Sequence, residues 1–187
     1  MDSDKKINNF IDQFNSNEYK FFKRLLGFDV YCRKNYKGMN FYKITGTMPC
    51  NNIKCISYLS SPDIREDISK GSLTCNIIKK INKNEWYEMI KIKTKGKFFF
   101  DSVFSVELIK RKNNLLYSYS EDPPGMHYKD TIEKRENIFT GIKCEPLNNN
   151  SCQLDAILTF GEFEMSQKTI VDSMVEHFEL FKEALKK

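Results

Sequence analysis

Residues Ser166–Lys187 read SQKTIVDSMVEHFELFKEALKK. Ile170, Val171, Met174, Phe178, Phe181 and Leu185 recur at steps of three and four and draw one apolar stripe along a helix. Asp172, Glu176, Glu179, Lys182 and Glu183 fall largely on the other side. Thr169 followed by Asp172 caps an inner start of this helix, and Ser166 an outer one. Such a helix cannot bury its stripe alone. The one large partner surface the chain offers is a sheet built from the strands before it, and a sheet gripping a terminal helix is a container.

Those strands are legible from a switch to period two at Thr74. Candidates are Thr74–Ile81, Glu85–Lys93, Ser102–Arg111, Leu115–Ser120, Asn137–Cys144 and Cys152–Phe160. Turn residues separate them: Asn82-Lys83-Asn84, Lys95-Gly96, Asn113-Asn114 and Asn148-Asn149-Asn150. Consecutive strands with short turns predict an antiparallel meander. Upstream, strands are expected at Phe28–Arg33 and Asn40–Thr47 around a turn at Asn35–Gly38. A short helix capped by Asn51 or Asn52 runs to Leu59, and another turn of helix starts at Pro62 and reaches Lys70. Residues 4–26 read as helix in one or two pieces, with Tyr19, Phe22, Leu25 and Leu26 on the second stripe and Gly27 ending it. One connector is long, Glu121–Glu136, with Pro123-Pro124-Gly125 inside it, and reads as a lid or binding loop.

Composition narrows the function classes. The 187 residues fit one domain, 40% hydrophobic and 29% charged, with net charge +5. That charge favours anionic surfaces and is too weak to argue for nucleic acid. Six cysteines form no CxxC pair and only two histidines, His127 and His177, are present, so zinc spacing is absent and the cysteines are expected reduced and mostly buried. The start MDSDKKINNF lacks an apolar run, and no window approaches a membrane span. The expected location is the cytoplasm, with membrane association at most peripheral.

Catalytic signatures are sparse. There is no Gly-rich phosphate loop and no nucleophile elbow. Neither histidine is marked as a partner of a cysteine, and Glu66, Asp67, Asp101 and Glu107 have uninformative spacing. The strand Trp86–Lys93 is more telling. Trp86, Glu88, Ile90 and Ile92 share a face opposite Lys91 and Lys93, so Glu88 points inward with the apolar residues. It either reaches water at a strand end or stands in a cavity. Leu115, Tyr117 and Tyr119 form a row that suits an amphipathic pocket wall or plain cross-strand packing. Lys91, Lys93, Lys95 and Lys97 before Phe98-Phe99-Phe100 fit a bilayer anchor or a solvated strand face.

The order of elements resembles the START (StAR-related lipid transfer) domains. The stretches that carry it are FYKITGTMPCNNIKCISYLSSPDIRED, KFFFDSVFSVELIKRKNNLLYSYSEDPPG and ILTFGEFEMSQKTIVDSMVEHFELFKEAL. In place of the family's frequent Trp-Asp after the arginine, Arg65 is followed by Glu66-Asp67-Ile68. The resemblance implies an α+β helix-grip fold over residues 1–187: an N-terminal helical segment 1–26, strands and short helices 28–161, and a gating helix 166–187. It implies a hydrophobic tunnel for one lipid, most simply a phospholipid, with a sterol or other lipid as alternatives. The lipid would be carried between membranes through transient surface contact, without catalysis, cofactor, metal or nucleic acid. Arg65 and Asp67 would sit at the inner end, Arg65 as the contact for an anionic head group. Trp86, Glu88, Tyr117 and Tyr119 would belong to the walls, and Met174, Phe178 and Phe181 to the roof, with Glu121–Glu136 as the gate. Two rivals use the same scaffold. One is a polyketide-cyclase-like enzyme working through Glu88, Asp101 or a tyrosine; the other is a protein-interaction module with a filled core.

Overall fold

A computed structural model describes residues 11–34, 40–95, 100–121, 123–125, 139–159 and 167–186. Its strands are β1 (Lys20–Leu25), β2 (Phe28–Lys34), β3 (Asn40–Met48), β4 (Leu73–Asn82), β5 (Glu85–Lys95), β6 (Phe100–Lys112), β7 (Leu115–Ser120), β8 (Phe139–Asn148) and β9 (Ser151–Thr159). Three helices accompany them: α1 (Asn52–Leu59), α2 (Pro62–Ser69) and α3 (Gln167–Leu185). The strands form one nine-stranded sheet in the order β1-β2-β3-β9-β8-β7-β6-β5-β4, with every pairing antiparallel. The chain builds three strands, crosses through α1 and α2 to the far edge, and returns strand by strand until β9 lies beside β3. Strands β1 and β4 remain edges, so the sheet is open.

Local sequence explains the starts of α1 and α2. Asn51 Oδ1 accepts the Lys54 N–H at 2.8 Å and caps α1. Ser61 caps α2, whose first turn holds Pro62, and Lys70 ends it with a left-handed φ of 50°. Along α3 the buried positions are Val171, Val175, Phe178, Phe181 and Leu185. They join one core with Phe28 and Val30 of β2, Ile44 and Met48 of β3, and Leu154, Ala156 and Leu158 of β9. The alternation of these strand residues sends them to the face that α3 covers. On the opposite face Phe14, from a helical turn at residues 11–15, packs with Tyr117 and Ile157.

The segment expected as a second N-terminal helix is instead β1. Leu26 and Gly27 both have positive φ, 51° and 79°. Positive φ at both central residues is the two-residue hairpin turn that matches strand twist. Gly27 therefore closes a hairpin, and aromatic Phe21 and Phe22 suit the strand it returns to. Arg24 spans the hairpin with a two-pronged pair to Asp29, at 2.6 and 2.8 Å. The expected turn at Asn35–Gly38, Gly96 of the turn that follows Lys95, the Phe98-Phe99 pair and Ser166 lie outside the described residues, as does most of Glu121–Glu136. Among the described residues no helix is long and apolar enough to cross a membrane.

Gly46 carries the closest approach in the core. A Cβ there would stand 2.6 Å from Cε1 of Phe28 and nearer still to Cδ1. Phe28 is fully buried and its ring centroid lies 6.2 Å from that of Phe178 on α3. Gly46→Ala is expected to cost about 1–3 kcal/mol as an overpacked core site. Urea unfolding of the variant checks this, and unchanged stability would show that the Phe28 ring can move aside.

Candidate functional site

Between α3, α2 and strands β6–β8 lies a cavity of about 370 Å³. Its apolar wall includes Ile109, Leu116, Ile142, Leu158, Phe178 and Phe181, and its polar lining includes Arg65, Ser105, Glu107, Ser118, Thr140 and His177. The strand register explains the space. Ser118 of β7 stands between Ile109 of β6 and Thr140 of β8, and Thr140 stands opposite Leu158 of β9. Short hydroxyl side chains thus occupy inward positions where a filled core would carry Leu or Ile.

At the inner end Arg65 reaches in from α2. Its Nη2 donates to Oε1 of Glu88 at 2.5 Å. Glu88 is completely buried on β5, and its other oxygen accepts the Trp86 indole N–H at 2.8 Å. The Cys75 thiol also meets Glu88, and burial above all pushes that thiol up to about 12, so it stays protonated. Glu88 therefore has the partners a buried carboxylate requires. Directly opposite it on β6 is Glu107, also buried and accepting from Ser105 at 2.9 Å. Among the donors of Arg65, Nε is buried without a hydrogen-bond partner. His177 borders the cavity from α3. Burial, helped by the charge of Arg65, pushes its pKa down to about 4 and holds the ring neutral.

Five of the sequence candidates border this cavity: Arg65, Tyr117, Met174, Phe178 and Phe181. Glu88 and Trp86 stand behind Arg65 and fix it; the idea that Glu88 reaches water at a strand end is corrected by its burial. Asp67 is exposed. Two residues along a helix from Arg65, it points away, because i and i+2 positions do not share a face. The tyrosine row is also corrected. Tyr119 packs with Phe14 and Ile157 and is absent from the cavity lining; Tyr117 belongs to the same cluster but also borders the cavity, beside Leu116 and Ser118. Tyr119 is pushed up to about 12 by burial and by nearby Glu121. Reading missed Ser105, Ser118 and Thr140, whose signal was a hydroxyl at an inward strand position, and His177, whose place on the flank of the stripe was visible.

Two outcomes follow for stability. Arg65→Ala leaves Glu88 charged, buried and short of its cation, which should cost about 3–5 kcal/mol. The double change Arg65→Met with Glu88→Leu should cost clearly less than the two single changes summed, as denaturant unfolding of the four proteins would read. For His177, the unfolded chain binds a proton near the ordinary 6.5 and the folded chain only near 4. Its contribution is thus complete above pH 6.5 and is lost as pH falls towards 4, by something on the order of 3 kcal/mol. Unfolding curves from pH 7 to pH 4 should show a smaller loss in His177→Gln than in the parent.

No family model matches the sequence, and no curated protein sequence matches it significantly. Solved structures do match. Human StAR-related lipid transfer protein 5 superposes with a TM-score of 0.77 at 16% identity, covering 97% of this chain and 94% of that one. A STAR-related lipid transfer protein from Xanthomonas axonopodis gives 0.70 at 10% identity, over 91% of this chain and 100% of that one. The Zhui aromatase/cyclase from Streptomyces gives 0.50 at 10% identity, over 79% and 91%. With its open nine-stranded antiparallel sheet and C-terminal helix, this chain has the α+β helix-grip fold of the StAR-related lipid transfer domains.

Proposed function

We propose that the protein binds one small lipid in the cavity beneath α3 and carries it between membranes, with no covalent step. The observation that supports this is the joining of an apolar wall to an inner end that holds one buried, unpartnered donor, Arg65 Nε. A mostly apolar pocket with a few placed polar groups is how proteins hold lipidic guests. Buried methylenes contribute about 0.8 kcal/mol each to holding an acyl chain.

Size and charge refine the guest. If a methylene takes about the volume of a liquid water, about 30 Å³, the 370 Å³ cavity holds about a dozen such groups. That suits one short acyl chain and falls short of a sterol skeleton or of two long acyl chains. The charge of Arg65 is already matched by Glu88, and Glu107 lines the cavity beside it. A phosphate would face two carboxylates, whereas a hydroxyl or carbonyl oxygen can accept from Arg65 Nε without repulsion. A neutral lipid with one such group therefore fits better than the phospholipid that the resemblance implies. Release would use transient membrane contact, which the net charge of +5 favours on anionic bilayers.

An enzyme reading beyond the expected Glu88, Asp101 or tyrosine draws on His177 and Glu107, which line the cavity. A histidine with a pKa near 4 is a weak general base at neutral pH, so the binding reading is preferred. A cavity of this size also speaks against a filled-core interaction module.

The test is native mass spectrometry of the purified protein, followed by transfer between liposomes of a fluorescent sterol, a single-chain lipid and a two-chain phosphatidylcholine. One bound lipid per chain is expected, with single-chain transfer above spontaneous exchange. Met174→Trp, which places bulk in the cavity from α3, should reduce uptake by about ten-fold or more, equivalent to 1.4 kcal/mol, with the fold retained. No uptake of any of the three would remove the carrier reading, and preferred transfer of the sterol or of phosphatidylcholine would restore a larger guest.

A further inference from the structure

Four of the six cysteines meet at one place in the core, away from the cavity lining. Cys50 follows β3, Cys55 lies in α1, and Cys144 and Cys152 come from the β8–β9 hairpin. The sulfurs of Cys50, Cys55 and Cys152 all lie within 4.8 Å of one another. Cys144 Sγ is 3.5 Å from Cys55 Sγ, and it also meets the Cys152 thiol. Burial is nearly total, with Cys50 5% exposed and the other three 0%. All four are free thiols, and 3.5 Å is far longer than a disulfide bond.

The dimensions suit a tetrahedral ion. Zinc–thiolate bonds of about 2.3 Å put the sulfurs of a regular tetrahedron about 3.8 Å apart, close to the 3.5 Å between Cys144 and Cys55 and within the 4.8 Å that bounds Cys50, Cys55 and Cys152; Cys144 lies outside that mutual bound and closes in to complete the set. A set of four sulfurs with no oxygen or imidazole donor selects a thiophilic ion, zinc above magnesium or calcium. We propose that Cys50, Cys55, Cys144 and Cys152 form a four-thiolate zinc site that clamps α1 to the β8–β9 hairpin. Loading Zn²⁺ releases the four thiol protons to solvent and leaves a net charge of −2 on the centre. Two features offset that charge. The first turn of α1, which carries no acidic residue, brings its N-terminal amide dipoles, and Lys54 brings a positive charge to Cys50. Linear spacing hides such a site, because its ligands come from opposite ends of the chain and no pair is spaced as CxxC.

Elemental analysis of protein purified under reducing conditions without chelator, then exposed to Zn²⁺ and desalted, should find about one zinc per chain. Replacement by Co²⁺ should give thiolate charge-transfer absorption and the strong visible bands of tetrahedral cobalt. Cys152→Ser should weaken zinc beyond the roughly 10–100-fold that outer-sphere partners carry, while Cys75→Ser leaves the stoichiometry intact. Chelation should lower the Tm of the parent. It should leave unchanged the Tm of a variant with the four cysteines replaced by alanine or valine, which tests the site even if single serine variants fold poorly. Reduced, zinc-exposed protein that carries no zinc overturns the proposal, as does cobalt without thiolate bands. A mass lower by two hydrogens for each bridge, marking disulfides in place of a metal centre, overturns it too.

Discussion

One helix about 10–12 Å across has to cover the inner face of nine strands, which at about 4.8 Å spacing extend for about 38 Å. The rest of the molecule answers that mismatch. Helix α3 places its stripe over β2, β3 and β9, where Phe178 meets Phe28 and the Gly46 backbone leaves room for the Phe28 ring. The inner face around β6 and β7 is covered less closely: α1 packs on β8 and β9, and α2 on β4. Helix α2 walls it from one side, and the serines and threonine on that face do not reach far enough to fill it. A cavity is thus a consequence of the topology together with the size of a few inward side chains.

The inner end of the cavity is governed by electrostatics at low dielectric. A fully buried carboxylate survives only with charge and hydrogen-bond partners, and Glu88 has both in Arg65 and Trp86. Because Glu88 occupies one prong of the guanidinium, Arg65 is held in place with its Nε directed to no protein group. The pair therefore acts as a neutral, oriented donor and not as a free cation. The same arrangement keeps His177 neutral, since a second positive charge in this interior would face Arg65 as well as the loss of water.

Much of the fold was legible because hydrophobic period records burial directly. Strands β2–β9, both short helices and α3 followed from alternation, caps and turn residues, to within a few residues at their ends. Residues 20–25 misled for a physical reason: KFFKRL supports a helical stripe as easily as a strand, and the choice is made by the Leu26-Gly27 turn and by pairing with β2. The site was less legible. Arg65, Met174, Phe178 and Phe181 border the cavity, and Glu88 pointed inward as the alternation of β5 required. Tyr117 borders the cavity yet packs, with Tyr119, on Phe14 and Ile157, because which face of β7 turns inward is set by neighbours distant in sequence, Ile142 and Leu158 against Ile157 and Phe14. The cysteine cluster is the extreme case, since its members meet only after β9 has returned beside β3.

The two halves of the sheet also divide stability from room. Around β2, β3, β9 and α3 the large side chains are wholly buried and packed against each other, so that half can supply most of the apolar free energy of folding. The half around β6–β8 gives up such contacts at Ser105, Ser118 and Thr140 in exchange for space. A mixed apolar and hydroxyl cavity is roomy and polar enough to hold water when no guest is present. An apolar guest would displace that water and restore the missing contacts. Replacing Ser118 or Thr140 by larger apolar residues would restore them permanently, so the residues that make this half of the core poorly packed are the ones that leave a lipid something to gain by entering it.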